Sequence, residues 1–312
     1  MRLLNAATHA LEEFVDDDHV PPYTILSHTW GAEEVTFKDL SSALTSPPVD
    51  WRAYKNKQGW PEIVNSAQHA RNCGWRYIWI DTCCIDKSDV TDLSEAINSM
   101  FRWYECAEVC YAYLANVPPD HPTLVHPWTW SFRSSRWFRR GWTLQELLAP
   151  SFLEFLDRDW NPIGSRTNGP MKLSWRRASS VATKLSWAAN RETTLVGDRT
   201  YSLLGLLGVN MPLIYGEGER AFTRLQHELI RSSSDESIFA WGSPMSECSR
   251  NIAHGVDSPI LAPSPRDYEH TRGIVTWMFD KRRKGFAMTN AGLSLNAELL
   301  RMDPRHADRH PL

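Results

Sequence analysis

Four short apolar runs in the first half of the chain alternate with amphipathic segments. These runs are rich in β-branched and aromatic residues, which is typical of buried strands, and they span 23–27, 75–81, 109–114 and 152–156. Between them, apolar residues recur at spacings of three and four, as on one face of a helix. The alternation predicts βαβ units, and therefore an α/β fold with a mostly parallel sheet and helices on both faces.

Residues that favour helix ends set the expected helix boundaries. Pro61 is expected to begin a helix that stops at Cys73–Gly74. Thr91 or Asp92 is expected to cap the next helix. A single helix is expected over 137–148, ending before Pro150.

The pattern changes after residue 173. Helical spacing over 178–189, 198–207 and 221–230 predicts a helical extension at 174–242 that packs on a sheet domain at 1–173. Prolines and the basic stretch 281–284 follow, with a strand expected near 292–299. We therefore expect 243–312 to be a loosely structured, truncated C-terminal segment.

Composition excludes several classes of protein. The chain has 312 residues, 42% of them hydrophobic and 23% charged, which argues against disorder. A net charge of −3 gives no basic field for nucleic acid. No apolar run is long enough to span a bilayer, and six cysteines in a chain this long indicate no disulfide framework. These features predict a reduced cytoplasmic or nuclear protein without nucleic-acid or membrane partners.

Two further counts bear on chemistry. The 15 tryptophans are compatible with core filling or with stacking on a planar ligand. No C-x-x-C pair and no G-x-G-x-x-G or G-x-x-x-x-G-K-[ST] motif occurs, so neither a metal nor a tightly bound cofactor is expected. A hydrolase that uses Cys83 or Cys84 with His28 remains open.

Five motifs in order resemble the fungal heterokaryon-incompatibility (HET) domain. They are 23–31 (YTILSHTWG), 74–87 (GWRYIWIDTCCIDK), 93–100 with 103–104 (LSEAINSM, WY), 136–148 (RWFRRGWTLQELL) and 198–205 with 211–218 (DRTYSLLG, MPLIYGEG). The resemblance implies a fungal protein of non-self recognition, innate immunity and programmed cell death. It also implies activation by self-assembly or by a separate recognition protein.

The resemblance further implies a TIR-like, flavodoxin-like sheet domain. Many TIR domains carry a W-C-x-x-E-L run whose glutamate cleaves NAD in the enzymatic members. Residues 142–147 read WTLQEL, with Thr143 in place of the cysteine, between the third and fourth expected strands. Glu146 is then the implied catalytic residue, NAD the implied substrate, and the activity that of an NAD hydrolase. A carboxylate beside the ribose stabilises the oxocarbenium-like transition state of such a cleavage.

The remaining candidates are expected to bind NAD around Glu146, because ligands of open α/β sheets lie at the carboxyl ends of the strands. The candidate binding residues are Ser27, His28, Trp30, Asp81, Trp142 and Arg139. The Arg139–Arg140 pair is expected to meet phosphates. Simpler roles stay open: an arginine partner for Glu146, a buried hydrogen-bonding role for His28, and core packing for the tryptophans. The alternative function is a non-catalytic signalling module that acts by homotypic assembly.

Overall fold

A seven-stranded mixed sheet forms the centre of the molecule. The computed structural model describes residues 1–45, 55–119, 130–167, 179–242, 260–274, 286–289 and 292–294. The strands are β1 (Arg2–Asn5), β2 (Leu11–Glu13), β3 (Thr24–Ser27), β4 (Tyr77–Trp79), β5 (Val109–Tyr113), β6 (Phe152–Leu156) and β7 (Pro162–Thr167). Their spatial order is β2-β1-β4-β3-β5-β6-β7.

The four strands at the centre of the sheet are parallel. β3 pairs with β4 and β5, and β5 pairs with β6. β1, β2 and β7 add antiparallel at the edges. The α/β class is therefore confirmed, whereas the sheet is mixed rather than mostly parallel.

The edge strands escaped the sequence analysis because they lack an apolar run. β2 reads LEE over three residues, and β7 begins at Pro162 and contains no fully buried residue. Proline and charged side chains are common on short edge strands. By contrast, every residue of β3 and β4 is buried, so both faces of the central sheet are covered.

Helices connect and flank the strands. In the described part of the chain they are α1 (Phe37–Thr45), α2 (Trp60–Asn72), α3 (Asp81–Cys84), α4 (Val90–Cys106), α5 (Trp130–Arg133), α6 (Thr143–Leu148), α7 (Val181–Ala188), α8 (Asp198–Tyr201), α9 (Leu204–Leu207) and α10 (Arg220–Ser232). Short 3-10 turns occur at Asp17–His19, Arg136–Arg139, Glu236–Phe239 and Pro265–Tyr268.

The boundaries of α2 and α4 can be compared with those predicted from residues that favour helix ends. Pro61 lies in the first turn of α2, and Gly74, with φ of +87°, follows the helix end, as predicted. The prediction for α4 is wrong: the cap is Asp89, whose carboxylate accepts hydrogen bonds from the backbone N–H groups of Thr91 and Asp92.

The helix predicted over 137–148 is broken in the middle. The chain forms the 3-10 turn, becomes extended at Arg140 (φ −72°, ψ 138°), and then starts α6. There the N–H of Gly141 donates to the carbonyl of Glu192 at 2.8 Å. A Cβ on Gly141 would lie 2.5 Å from Cγ2 of Thr193, so glycine permits this close approach. The helical extension thus fixes where α6 begins.

The extension also docks directly on α4. The helix predicted over 198–207 is divided into α8 and α9, and Gly205 of α9 faces Phe101 of α4. A Cβ at Gly205 would lie only 2.1 Å from Cβ of Phe101. At this point the backbone of the extension packs directly against a side chain of the sheet domain.

Little of the C-terminal segment is described. β8 (Ala287–Thr289) and β9 (Gly292–Ser294) form a hairpin, so the predicted strand near 292 begins where expected. The rest of 292–299, the basic stretch 281–284 and the end at 305–312 lie outside the described residues. Among the helices that are described, none combines the length and the apolar character that a bilayer crossing requires.

Candidate functional site

A cavity of about 540 Å³ lies where the carboxyl ends of β3 and β4 face the helical extension. His28 follows β3, Asp81 follows β4 and Glu146 comes from α6; all three line the cavity. Asp198 and Tyr215 line it from the extension. The cavity is therefore built from both parts of the chain, at the end of the sheet where α/β proteins hold ligands.

The Glu146 carboxyl group is fixed from behind by a short hydrogen-bond chain. Ser27, the last residue of β3, donates its hydroxyl to Oε2 of Glu146. The same hydroxyl accepts a hydrogen bond from Nε1 of the fully buried Trp137 at 2.7 Å. Because the indole can only donate, the Ser27 proton must point at Glu146. Among the described residues, Ser27 is the one hydrogen-bond donor to this carboxyl group.

Burial raises the pKa of Glu146 from 4.5 to about 7, although the Ser27 hydrogen bond opposes this shift. Asp81 raises the pKa further, whereas His28 and Arg140 lower it. A second cation, Arg191, donates to the Arg140 carbonyl and so stands near Glu146, and burial lowers its pKa to about 10. At neutral pH Glu146 therefore exists in both its charged and its neutral form, as a group that exchanges protons must.

His28 lies in a cluster of carboxylates beside the cavity. Its side chain is 2% exposed, and its Nε2 is 3.6 Å from Oε2 of both Glu34 and Glu62. Its Nδ1 is 3.9 Å from Oδ1 of Asp81. Burial lowers the pKa of His28, but Glu34, Asp81 and Glu62 outweigh it and raise the pKa to about 9.

Trp30 forms part of the cavity wall beside this cluster. Its indole Nε1 donates to Oδ2 of Asp81 at 2.9 Å. Nζ of Lys87 lies 3.6 Å from the centre of the Trp30 ring, within cation–π distance. Burial lowers the pKa of Lys87, while Asp81 acts in the opposite direction. Both Trp30 and Lys87 line the cavity, which gives it a planar surface with an adjacent amine.

Trp142 forms the wall on the other side. Its Nε1 donates to Oδ2 of Asp198 at 3.3 Å, and the Tyr215 hydroxyl donates to Oδ1 of the same residue at 3.2 Å. Asp198 thus holds two aromatic rings at the mouth of the cavity. The tryptophan excess has both of the expected uses: Trp79 and Trp137 are fully buried, whereas Trp30 and Trp142 reach the cavity.

Most of the residues predicted from the sequence come together here. His28, Trp30, Asp81, Trp142 and Glu146 line the cavity. Ser27 lies beneath it and contacts Glu146 rather than the open space.

Arg139 is exposed and does not line the cavity, whereas its neighbour Arg140 does. The break before α6 explains the difference, because it turns consecutive side chains in different directions.

Sequence reasoning did not single out Lys87, Asp198 and Tyr215 as site residues. They were detectable in principle, because they lie inside the motifs at 74–87, 198–205 and 211–218. Glu34 and Glu62 lie outside the five motifs, and nothing in the sequence around them indicated a site residue.

The cysteines beside the cavity are poorly suited to nucleophilic catalysis. Cys83 and Cys84 are buried. Hydrogen bonding with Cys84 and burial raise the pKa of Cys83 well above its usual value. A nucleophilic cysteine needs the thiolate, which this environment disfavours.

The chain is similar to proteins of known families. Residues 23–125 match the family described as heterokaryon incompatibility protein (HET), and residues 220–292 match a domain of unknown function (DUF8212). Vegetative incompatibility protein HET-E-1 of Podospora anserina is 44% identical over 228 residues, which cover 67% of this chain and 16% of that protein. The chain thus spans about one sixth of the length of this curated relative. No solved structure matches the chain.

Proposed function

We propose that this chain, which belongs to the heterokaryon incompatibility (HET) domain family, is the cell-death effector of fungal non-self recognition and hydrolyses NAD. The site of cleavage is the bond between nicotinamide and ribose, and Glu146 is the catalytic residue. The relative bears the name of a vegetative incompatibility protein, which is the process assigned here to the chain.

One observation carries the enzymatic part of the proposal. Glu146 is a buried carboxyl group that lines the cavity, and its pKa is raised by burial to about 7. A burial-shifted acid in a cleft is a common mark of a catalytic site. The hydrogen-bond chain through Ser27 to Trp137 supplies the fixed orientation that such a group needs.

The proposed reaction consumes one NAD and one water. The bond between nicotinamide nitrogen and ribose C1′ breaks, and its electron pair leaves with nicotinamide as a neutral ring. Ionised Glu146 stabilises the positive charge that develops on the ribose. Water then adds to C1′ and gives a proton to Glu146, which passes it to solvent. The products are nicotinamide, ADP-ribose and one proton.

The walls of the cavity suit the rest of the substrate. Trp30, Trp142 and Tyr215 offer aromatic surfaces for the planar rings. Lys87 and Arg140 offer positive charge for the diphosphate. Arg140 takes the role that the sequence analysis gave to the Arg139–Arg140 pair.

The order of the parallel strands supports a TIR-like domain. Numbered among themselves along the chain, β4, β3, β5 and β6 have the spatial order 2-1-3-4, which agrees with the flavodoxin-like order. The cavity lies at the carboxyl ends of β3 and β4 in this arrangement. We place the effector in the cytoplasm, activated by self-assembly or by a separate recognition protein.

NAD turnover tests the proposal. The purified chain is incubated with NAD, and nicotinamide and ADP-ribose are quantified by chromatography for wild type, Glu146→Gln and the control Glu108→Gln. Glu108 is exposed and precedes β5 at the opposite end of the sheet. We expect equimolar products, a loss of at least about 100-fold in Glu146→Gln, and no change in the control.

Equal turnover in wild type and Glu146→Gln would remove Glu146 from the mechanism. No turnover in the wild type, even when it is oligomerised, would end the enzymatic proposal. Such a result would favour the alternative function, a non-catalytic module that assembles with copies of itself. Exposed apolar side chains at Val196 and Ile214, which do not line the cavity, favour it. Cell death that survives Glu146→Ala but is lost on substituting these two would support it.

A further inference from the structure

Three side chains of types that bind metals meet beside the cavity, two from the loop between β3 and α1 and one from α2. His28 follows β3, Glu34 precedes α1 and Glu62 lies in the first turn of α2. One ligand atom from each lies within 4.8 Å of the other two. No known metal-binding motif joins these three residues in the sequence. Folding brings Glu62 to the loop that carries His28 and Glu34.

Two buried polar atoms of this cluster lack a hydrogen bond. The His28 side chain is 2% exposed, and its Nε2 points at Oε2 of Glu34 and of Glu62 from 3.6 Å, beyond hydrogen-bond range. Oε2 of Glu62 and Nδ1 of His28 are buried and have no hydrogen-bond partner among the described residues. Buried polar atoms are normally paired, so the unpartnered Oε2 of Glu62, which faces Nε2 of His28 at 3.6 Å, points to a ligand between these two groups.

Neighbouring groups hold the cluster in a metal-binding arrangement. The backbone N–H of Gly31 donates to Oε1 of Glu34 at 2.5 Å, which leaves Oε2 to face His28. Asp81 stands behind the imidazole, with Oδ1 3.9 Å from Nδ1, and is itself held by Trp30. A metal-bound imidazole usually donates its second ring N–H to a carboxylate. Asp81 stands on that side of the ring, although at 3.9 Å the contact is electrostatic and not a hydrogen bond.

We propose that His28, Glu34 and Glu62 bind one divalent transition-metal ion. Ligand atoms of a tetrahedral site with bonds of about 2.1 Å are about 3.4 Å apart, and Nε2 of His28 lies 3.6 Å from Oε2 of Glu34 and of Glu62. One imidazole nitrogen and two carboxylate oxygens suit Zn²⁺, Co²⁺ or Mn²⁺ better than Mg²⁺ or Ca²⁺, which prefer oxygen ligands throughout.

The site has an open side. Three protein ligands leave a fourth position for water or for an oxygen of a bound molecule. Because His28 and Asp81 also line the cavity, the ion sits at the cavity edge. The metal site does not rest on NAD hydrolysis. The ion adds positive charge to a cavity that the carboxylates of Asp81, Glu146 and Asp198 line.

Cobalt titration tests the site without any substrate. The full chain is treated with a chelator and titrated with Co²⁺, with binding followed by calorimetry and by the visible absorption of the ion. Glu62→Gln removes a ligand, and Glu33→Gln is the matched control because Glu33 is exposed and adjacent to Glu34. We expect one Co²⁺ per chain, affinity at least about tenfold weaker in Glu62→Gln, and no change in Glu33→Gln.

A conservative variant covers the case in which Glu62→Gln does not fold. Glu62→His keeps a ligand at the same position, so it should bind Co²⁺ with an altered absorption spectrum. Absence of Co²⁺ binding in the wild type, or equal affinity in wild type and Glu62→Gln, would overturn the proposal. Either result would leave a protonated His28 held between carboxylates. Because the titration needs no NAD, its failure and the failure of NAD hydrolysis are separate results.

Discussion

Replacing Glu146 by glutamine should stabilise the fold at neutral and alkaline pH. Glutamine has nearly the same shape as a protonated glutamate, and its amide oxygen can accept the hydrogen bond from Ser27. It cannot ionise, so it avoids the cost of holding a buried charge. Wild-type Glu146 incurs that cost, because burial raises its pKa from 4.5 to about 7.

The size and sign of the effect follow from this pKa difference. Below pH 4.5 the carboxyl group is protonated in both the folded and the unfolded chain, so wild type and variant should be equally stable. Between pH 4.5 and about 7 the unfolded chain loses this proton first, so the stability of the wild type falls as pH rises. Above this window the gap is about 3 kcal/mol, at about 1.4 kcal/mol per pH unit.

Thermal unfolding measured from pH 4 to pH 8.5 checks the prediction. At about 2 °C per kcal/mol for a chain of this size, Glu146→Gln should melt roughly 6 °C above the wild type at pH 8 and together with it near pH 4. Charges that face Glu146, namely Asp81, His28, Arg140 and Arg191, are present in both proteins. Melting curves that coincide at pH 8, or that differ by the same amount at every pH, would refute the reasoning.

Three further predictions concern two substitutions and the alkylation of the cysteines. Ser27→Ala removes a hydrogen bond that lowers the pKa of Glu146, so the rise of NAD turnover with pH should move to higher pH; a pH profile of turnover checks this. Gly205→Ala should destabilise the fold by about 1–3 kcal/mol, because its Cβ would clash with α4, whereas Gly273→Ala meets no atom within 4 Å and should be neutral in thermal melts. Cys83 should resist alkylation in the native chain, whereas the exposed cysteines at the ends of α2 and α4 should react; peptide mass spectrometry identifies the labelled sites.

The central strands were predictable because burial on both faces leaves a plain signature. β3, β4, β5 and β6 each coincide with a run of β-branched and aromatic residues. The edge strands and the break at Gly141 were not predictable in this way. The break depends on a hydrogen bond to Glu192, which is distant along the chain, and local periodicity carries no information on such a partner.

The candidate site also contains residues that the sequence could predict and residues that it could not. Ser27 and Asp81 are the last residues of two predicted parallel strands, so their convergence with Glu146 followed from topology. The His28 cluster did not, because Glu34 and Glu62 reach it from a loop and from a helix start. No spacing rule relates these positions, and a spatial cluster of this kind becomes visible only when the chain is folded.

Helix α6 departs from the pattern that its burial demands. Four consecutive residues of the helix, 143–146, are buried. Buried helix positions are normally apolar, yet Gln145 and Glu146 are two of these four. Gln145 is hydrogen-bonded to the sulfur of Met100 at 3.2 Å, a weak acceptor. Local rules are broken most often where function requires it. A carboxyl group that lowers stability at neutral pH, in a place where glutamine would fit, therefore needs a reason other than packing, and charge stabilisation inside the cavity is such a reason.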